Sequence, residues 1–502
     1  MIAIDNAQLL RLAWPEVIVV ATALIVMAVD LLLLRGCSTR VRFSLAAGIA
    51  SIGCAGAILR IMMAPEVANI LNGVLLANPL THLVQIALLT LTIFTLLLSV
   101  DSNFTQHVGE FVLLLLVATA AMMFLAATQD LLVLFISLEL LSLSLYILAA
   151  FDKRSAQSWE AALKYYLFGG MSAAFLLFGF SLLYGLSNST SLPLIAAAIH
   201  GPALNPLLVI AIVTTAIGLG FKVAAAPFHF WAPDVYQGAP APSAAFIASG
   251  SKVASFFLFF QVMAIGFAGA EGTAALPDFV RGWVPVLALM AAVSMLLGNL
   301  VAIRQSSLRR LLAYSAIAHA GYMLLAIVAH TQQGLAALLY YVVTYALATL
   351  GAFAVIAVVE QQKGDDRLSN FDGLCRQSPV LSFCLAIFIL SLAGIPPLAG
   401  FFAKFYLFVT VLNAAPGSMG LLWLVVLTIA MSAVALYYYL RVLKRVYVAA
   451  PAAGAVAVRT PLLSQVLVLL LAALVVLLGC APQLLLRWIE AAIRVSALSL
   501  PK

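Results

Sequence analysis

Residues 17–34 of the chain read VIVVATALIVMAVDLLLL, an apolar run in which Asp30 is the single charged residue. A transmembrane helix needs about 20 consecutive, mainly apolar residues, so this run predicts a membrane span. The run is too long for the apolar part of a signal peptide, and Asp5 and Arg11 stand before it in place of a basic segment. We therefore expect it to form the first transmembrane helix.

The composition of the whole chain supports this interpretation. Of its 502 residues, 65% are hydrophobic and 9% are charged, whereas soluble domains have about 45–50% and about 25%. This composition excludes soluble and disordered classes of protein. The net charge of +7 comes from 25 Lys and Arg residues that are spread thinly along the sequence. The lipid bilayer is thus an expected partner and nucleic acid is not.

The cysteines indicate that the chain holds no redox centre of its own. They form no CxxC motif and no Cys/His cluster with the spacing of metal ligands, which excludes a disulfide framework, an iron–sulfur cluster and a zinc site. Gly-rich phosphate loops and catalytic triads are also missing from the sequence. Any redox cofactor must therefore belong to a partner. The five cysteines are Cys37, Cys54, Cys375, Cys384 and Cys480.

Apolar windows of membrane-spanning length recur along the sequence, and about 14 can be distinguished. Their unbroken apolar character excludes a β-barrel, whose strands alternate between apolar and polar residues. The sequence therefore predicts an all-α polytopic membrane protein. The predicted spans are residues 14–34, 42–63, 80–100, 110–128, 131–151, 161–186, 205–231, 243–267, 282–303, 307–329, 334–360, 378–413, 421–448 and 462–486.

The predicted loops differ in their content of Lys and Arg, which concentrate on the cytoplasmic side of membrane proteins. If the N-terminus is outside the cytoplasm, the inner loops hold 15 of these residues and the outer segments hold six. This bias predicts that both termini are non-cytoplasmic. The inner group is Arg35, Arg40, Arg42, Lys153, Arg154, Arg304, Arg309, Arg310, Lys363, Arg367, Arg376, Arg441, Lys444, Arg445 and Arg459; the outer group is Arg11, Arg60, Arg281, Arg487, Arg494 and Lys502.

Two parts of the sequence resemble each other. The hexapeptide at 161–166, AALKYY, matches AALLYY at 336–341 in five of six positions, with an offset of 175 residues. These segments open equivalent helices in spans 4–8 and 9–13. Because each set has five helices, the second must run inverted relative to the first, as in many transporters.

Spans 7 and 12 occupy corresponding places in the two repeats, and both contain helix-breaking residues. Broken helices at mid-membrane form the binding sites of inverted-repeat transporters. We divide the single membrane domain, 1–502, into an N-terminal three-helix part (1–109), a first repeat (110–267), a second repeat (282–448) and a last helix (462–486). The breaking residues are Gly218, Gly220 and Pro227 in span 7, and Gly394, Pro396, Pro397 and Gly400 in span 12.

Among the charged residues inside the predicted spans, Glu139, Lys222, Lys252 and Lys404 lie deep in apolar sequence. Inserting a charged side chain at the bilayer centre costs at least about 2.5–3.5 kcal/mol of free energy, so the position of each of these residues requires an explanation. Static helix packing or a fixed ion pair is one explanation, and snorkelling is a further one for Lys252. Proton transfer along a polar axis is the explanation that we favour for all four. For Lys404 we expect a dry environment made by Phe401, Phe402 and Phe405, with backbone carbonyls freed by the break.

Three further residues are candidates for a proton relay. Lys164 lies at shallow depth, four residues after Glu160, which is also the spacing of an ordinary surface pair. His229 follows Pro227 near the inner face, and His319 lies mid-span among small residues; both suit a relay or a hydrogen bond between helices. We interpret the tyrosine clusters at 165–166, 340–341 and 437–439 as interface or packing residues.

Three motifs resemble the antiporter-like subunits of respiratory complex I, the proton-translocating NADH-quinone oxidoreductase. The most specific is FKVAAAPFHFWAPDVYQGAPAP at 221–242, and the others are LAYSAIAHAGY at 312–322 and GIPPLAGFFAK at 394–404. The likeness extends over most of the chain. A Lys in span 12 and an end after about 14 spans favour the subunit N branch over the M and L branches.

This resemblance implies a proton channel in which Glu139 and Lys222 interact, Lys252 is the central connection and Lys404 is the site of the second half. It implies a non-redox subunit of the bacterial inner membrane, with both termini periplasmic. FMN, iron–sulfur clusters and quinone would belong to partner subunits, and the direct partners would be antiporter-like subunit M and small membrane subunits. The alternative is a cation/proton antiporter subunit without a redox partner.

Overall fold

The computed structural model describes residues 10–63, 67–199, 205–276, 278–414, 420–451 and 458–496. Asp5, which entered the argument against a signal peptide, and Lys502, which entered the prediction of orientation, lie outside these residues. The N-terminal part contains α1 (Trp14–Leu32), α2 (Thr39–Met63) and α3 (Pro79–Val100). Before α3 a hairpin is formed by β1 (Ala68–Ile70) and β2 (Leu75–Ala77), which pair antiparallel.

The remaining chain is helical and folds as two consecutive groups followed by two last helices. The first group is α4 (Val108–Ala126), α5 (Leu131–Ala149), α6 (Ala156–Ser187), α7 (Leu192–Ala198), α8 (Pro206–Lys222), α9 (Trp231–Gly238), α10 (Ala241–Ala248) and α11 (Gly250–Phe260), which continues as a π-helical turn, Gln261–Gly266. The second group is α12 (Trp283–Ala302), α13 (Leu308–Ala329), α14 (Gln332–Lys363), a 3-10 turn at Leu368–Phe371, α15 (Leu374–Gln377), α16 (Pro379–Ala393), α17 (Ala399–Asn413) and α18 (Leu422–Tyr447), and the last helices are α19 (Leu462–Cys480) and α20 (Gln483–Val495).

Within the described residues, 12 helices are long and apolar enough to cross a membrane, counting Ala241–Gly266 as one. Three shorter apolar helices, α8, α16 and α17, supply the two broken spans. The prediction of about 14 spans with breaks in the seventh and twelfth is therefore confirmed. The predicted end of the last span is wrong: α19 ends at Cys480, and Pro482 separates it from an amphipathic helix, α20, that the sequence analysis did not predict.

The two groups repeat one backbone design. Helices α6 and α14 both have 32 residues, and they begin and end 176 residues apart. In the first group the Leu131 N–H donates to the Thr190 carbonyl at 2.8 Å, and in the second the Leu308 N–H donates to the Asp366 carbonyl at 2.9 Å. These two bonds occupy corresponding places in the two groups.

The centre of the protein is formed by α10, α11, α13 and α14, which are almost fully buried by other helices. In contrast, α2 and α18 bury only about a third of their apolar windows and expose the rest at the perimeter. Polar side chains on the central helices are thus separated from lipid by protein. The buried residues Lys252 and His319 lie on two of these helices, α11 and α13.

Candidate functional site

The first break follows Lys222, the last residue of α8. There the chain turns through Ala224, whose φ is +58°. The carbonyl of Phe221 accepts a hydrogen bond from the Trp231 indole at 2.9 Å, and the N–H of Ala226 donates to Ser294 at 2.8 Å. Because side chains satisfy these freed backbone groups, a non-helical segment is stable inside the protein.

The Lys222 ammonium is buried and donates a hydrogen bond to the Ser142 hydroxyl of α5. Glu139 lies one turn earlier on the same helix, but the two charges are not within ion-pair distance. Its Oε1 atom is buried and has no hydrogen-bond partner among the described residues. The structure thus places the two predicted residues on facing helices, with a hydroxyl that the sequence analysis missed next to the ammonium.

The Lys252 ammonium donates to the Ala316 carbonyl of α13 at 2.9 Å. It also lies 5.5 Å from the ring centre of Tyr345 on α14. Only 1% of Lys252 is exposed, so snorkelling to the surface does not explain its position. This lysine is therefore held by three central helices, in the middle of the bundle.

His319 is bonded by two tyrosines on different helices. Its Nδ1 is 3.0 Å from the Tyr341 hydroxyl, its Nε2 is 3.3 Å from the Tyr439 hydroxyl, and Tyr439 is 2.5 Å from Ser315. Tyr341 and Tyr439 belong to the tyrosine clusters that the sequence analysis interpreted as interface or packing residues. Both are buried and take part in a polar network around the imidazole.

Lys404 lies in α17, after the second break, and its ammonium turns back to the end of α16. It donates to the carbonyls of Leu392 at 3.3 Å and Ala393 at 3.0 Å. The carboxyl end of a helix has unpaired carbonyls and a partial negative charge, which stabilise a cation. The carbonyls that hold the ammonium thus belong to the end of α16, before the break.

The predicted phenylalanine environment of Lys404 is not found. Phe405 is 54% exposed, and Phe401 stacks on it with ring centres 6.1 Å apart. The ring nearest the ammonium is Tyr322, at 5.1 Å. The difference arises because Lys404 and Phe405, as neighbours on a helix, point in different directions.

A small cavity lies beside His319 and next to residues that contact Lys252 and Lys404, although neither lysine is part of its wall. It has a volume of about 10 Å³, close to the space of one water molecule. Its wall includes Tyr345, which contacts Lys252, and Leu392, whose carbonyl accepts from Lys404. The full wall is His319, Tyr341, Thr344, Tyr345, Ala348, Ser391, Leu392, Gly400 and Ala403.

Lys164 is not part of this buried set. Its ammonium lies 2.6 Å from Glu160 and 2.7 Å from Asp234, and more than a third of its side chain is exposed. Asp234 also pairs with Arg310 of the second repeat at 2.6 Å. Burial raises the pKa of Asp234, but the hydrogen bonds from Lys164 and Arg310 outweigh it and hold that pKa below its ordinary value. Asp234, which the sequence analysis did not single out, thus links the two repeats.

His229 lies in the non-helical segment between α8 and α9. Its ring stacks on Phe230 with centres 4.6 Å apart. Its Nδ1 is buried and has no side-chain or backbone partner within hydrogen-bond distance in the described part of the chain. The residue is buried beside the first break, without a contact to the other candidates.

A polar cavity of about 390 Å³ opens where the two repeats meet, on the side of the Asp152 loop. Its wall includes Gln237, Arg309 and Glu360. Arg309 forms an ion pair with Glu360 and donates to the carbonyls of Gln237 at 3.1 Å and Ala239 at 2.8 Å. Among the described residues, no group of three or more His, Cys, Asp and Glu is placed to hold a metal ion.

Comparison with known proteins agrees with this geometry. A family model for the transmembrane region of NADH:quinone oxidoreductases and Mrp antiporters matches residues 128–432. NADH-quinone oxidoreductase subunit N 2 of Acidobacterium capsulatum is 55% identical over 498 residues, which are 97% of this chain and 99% of the relative. Subunit N 1 of Roseiflexus castenholzii is 40% identical over 445 residues, covering 85% of this chain and 81% of the relative.

Solved structures also match over almost the whole chain. A chain of respiratory complex I from Thermus thermophilus, solved with bound aureothin, has a TM-score of 0.77 and 34% identity, covering 94% of this chain and 98% of that one. A chain of the Mrp complex from Dietzia sp. DQ12-45-1b has a TM-score of 0.80 at 20% identity, covering 97% and 98%, and shows the shared fold alone. Since the family model spans more than half of the sequence and the subunit N relatives align over most of their length, the chain belongs to the subunit N family of NADH-quinone oxidoreductases.

Proposed function

We propose that the chain moves protons across the membrane as a subunit of a multi-subunit NADH:quinone oxidoreductase. The observation that carries the proposal is the water-sized cavity beside His319, whose wall also includes Tyr345 next to Lys252 and Leu392 next to Lys404. Each ammonium is held by neutral oxygen atoms, with no carboxylate within ion-pair distance among the described residues. A lysine without a fixed counter-ion can release its proton when its surroundings change.

In the second half, the route runs from Lys252 through the cavity to Lys404. The Tyr341, Tyr439 and Ser315 hydroxyls around His319 can donate and accept hydrogen bonds in turn. A water in the cavity would have the polar partners that it needs. Protons then leave Lys404 toward the outer face.

In the first half, Glu139 and Lys222 form the proton-loading pair. Ser142 lies one turn after Glu139 on α5 and accepts the hydrogen bond from Lys222. A change of the Ser142 side-chain rotamer would move the acceptor oxygen away from the ammonium, and the unpaired Glu139 oxygen offers the ammonium an alternative partner. Lys164 and His229 remain candidate relays at the inner edge. The polar cavity near Arg309 is a suitable place for proton uptake.

We assign no redox step to this chain. Its residues bind, hold and release protons, whereas the FMN, iron–sulfur clusters and quinone belong to partner subunits. Quinone reduction elsewhere in the complex drives the transfer, and antiporter-like subunit M and small membrane subunits are the direct neighbours. The purified chain, separated from those partners, should show no stoichiometric visible chromophore.

The chain is placed in the bacterial plasma membrane with both termini in the periplasm. The distribution of Lys and Arg among the loops supports this orientation. A single cysteine at the exposed position Lys444 should then resist impermeant thiol reagents applied to the periplasmic side, whereas labelling from that side would reverse the topology. The proposed division into 1–109, 110–267 and 282–448 follows the repeats, and the last membrane helix, α19, ends at Cys480.

A cation/proton antiporter without a redox partner is the second candidate, because the Mrp chain shares the fold. The 55% identity to a subunit N relative favours the first candidate. Co-purification distinguishes the two candidate functions. A redox-coupled subunit is recovered with NADH-oxidising and iron–sulfur subunits, whereas an antiporter without a redox partner is not.

Proton pumping by the reconstituted complex tests the proposal. Lys252→Gln should abolish pumping while the complex still assembles, because a neutral side chain cannot load a proton. Lys153→Gln, on the inner surface, is the matched control and should pump normally. Normal pumping by Lys252→Gln would contradict the proposed route.

A further inference from the structure

A basic pocket lies where α12 and α18 end, next to the loop that follows α14. Its volume is about 960 Å³, and it faces the perimeter of the protein, away from the Lys252 and His319 network. Five of its residues are cations. They are Arg304, Arg367, Arg441, Lys444 and Arg445, and the rest of the wall is Gln305, Ser306, Leu368, Ser369, Tyr437, Leu440, Val448 and Ala449.

The charges in this pocket are only partly balanced. Arg367 pairs with Asp365 at 3.4 Å, and Arg445 pairs with Asp372 at 2.9 Å. Arg304, Arg441 and Lys444 have no carboxylate within ion-pair distance in the described parts of the chain. The pocket therefore has an excess of three positive charges, which favours an anion.

Arg441 is fixed in place without being neutralised. Its guanidinium donates to the carbonyls of Ile303 at 2.6 Å and Gln305 at 2.5 Å, both at the end of α12. Two uncharged acceptors orient the side chain and leave its charge available. The hydroxyls of Ser306 and Ser369 lie in the same wall and can donate to phosphate oxygens.

An exposed apolar stripe leads along α18 into the pocket. Its members are the exposed residues Val426, Ile429, Ala433, Tyr437 and Leu440, which recur every three or four residues and therefore lie on one face of the helix. Val426, Ile429, Tyr437 and Leu440 are between 48% and 60% exposed. From Val426 to Lys444 the helix rises about 27 Å, nearly the thickness of the hydrocarbon core. The pocket thus lies where the apolar stripe meets the membrane surface.

We propose that this pocket binds the headgroup of an anionic phospholipid, whose acyl chains lie along the exposed stripe of α18. The three unbalanced cations and the two serines contact the phosphate, and Tyr437 and Leu440 contact the first part of the acyl chains. A basic pocket at a helix end that continues into an apolar face matches both parts of such a lipid. The inference does not depend on the proton route.

Lipid binding to the detergent-purified complex tests this site. The probes are phosphatidylglycerol, zwitterionic phosphatidylethanolamine and inorganic phosphate, and the readout is bound lipid per complex by mass spectrometry. The double variant Arg304→Gln/Lys444→Gln removes two cations whose side chains have no hydrogen-bond partner in the described chain, so folding should be spared. We expect binding of phosphatidylglycerol to weaken by roughly 30-fold, from about 1 kcal/mol for each cation.

The matched controls are Arg154→Gln, an exposed inner-loop arginine outside the pocket, and Arg304→Lys/Lys444→Arg, which preserves both charges. Both should bind phosphatidylglycerol like the wild type. A photoreactive acyl chain should crosslink between Val426 and Leu440. Equal loss of the two lipids in the double variant, or competition by inorganic phosphate with no crosslink to α18, would overturn the assignment to a phospholipid.

Discussion

Lys222 and Lys404 lie on opposite sides of the two helix breaks. Lys222 is the last residue before its break, whereas Lys404 is the sixth residue after the other break and turns back to the end of α16. The lysines are therefore not equivalent positions of the repeat, which agrees with their offset of 182 residues against 176 for α6 and α14. Both lysines nevertheless lie at the carboxyl end of a helix, which is α8 for Lys222 and α16 for the Lys404 ammonium.

Because the ammonium groups of Lys222 and Lys404 have different hydrogen-bond partners, they can be tested by different substitutions. Lys404 is held by backbone carbonyls, which no substitution removes directly. Lys222 is held by one side-chain hydroxyl, which can be removed without changing the backbone.

Ser142→Ala should therefore impair proton pumping. Hydrogen bonds to charged groups contribute about 1.5–3 kcal/mol, so loss of this acceptor should change the protonation equilibrium of Lys222 by roughly tenfold or more. The measurement is protons pumped per NADH oxidised by the reconstituted complex. Ser144→Ala is the control, because Ser144 is equally buried but bonds only to the Leu140 carbonyl of its own helix. Equal pumping by both variants would show that Ser142 does not act on Lys222.

Tyr341→Phe should slow pumping by removing the hydroxyl bonded to Nδ1 of His319. The adjacent Tyr340→Phe is the matched control, since the Tyr340 hydroxyl bonds to the Leu478 carbonyl instead. We expect a several-fold lower pumping rate for Tyr341→Phe and a normal rate for Tyr340→Phe, at equal complex content. The same loss in both variants would indicate a packing defect rather than a relay.

The charged residues of the site could be predicted from sequence, and their partners could not. Glu139, Lys252 and Lys404 stand out because a charge inside an apolar run is expensive and has few structural explanations. Ser142 and Tyr439 are ordinary among many hydroxyl residues, and only the packing of distant helices gives them a role. The same limit applies to Asp234, whose link to Arg310 joins residues 76 positions apart.

The parts of the fold that could be predicted are those that depend on the length of apolar runs and on the internal repeat. Span number, the two breaks and the repeat offset all follow from these signals. Helix α20 was missed because its apolar residues extend the preceding span, although Pro482 marks the boundary. The hairpin of β1 and β2 was missed because three-residue strands leave almost no periodic pattern.

Asp234→Asn should reduce the thermal stability of the complex in a pH-dependent way. The pKa of Asp234 is lower in the folded protein than in the unfolded chain, so its stabilising contribution is present above the unfolded value of about 3.9 and is lost as the pH falls through the folded value. We expect a difference of about 1 kcal/mol at pH 7 that shrinks below pH 4. A difference between wild type and variant that stays constant from pH 7 to pH 3 would contradict the proposed ion-pair contribution. Asp152→Asn, at an inner-loop carboxylate without an ion pair in the described chain, is the control.

The variant Lys404→Arg distinguishes two possible roles of Lys404, a fixed positive charge and a group that releases its proton. Arginine keeps a positive charge near the end of α16 and can still donate to the carbonyls of Leu392 and Ala393, so assembly should be retained. It does not deprotonate in proteins, and a site that must pass its proton on should therefore fail. We expect pumping per NADH oxidised to fall as far in Lys404→Arg as in Lys404→Ala. Pumping at the wild-type level in the arginine variant, with loss only in the alanine variant, would show that Lys404 acts as a fixed charge and that the second half of the route needs another donor.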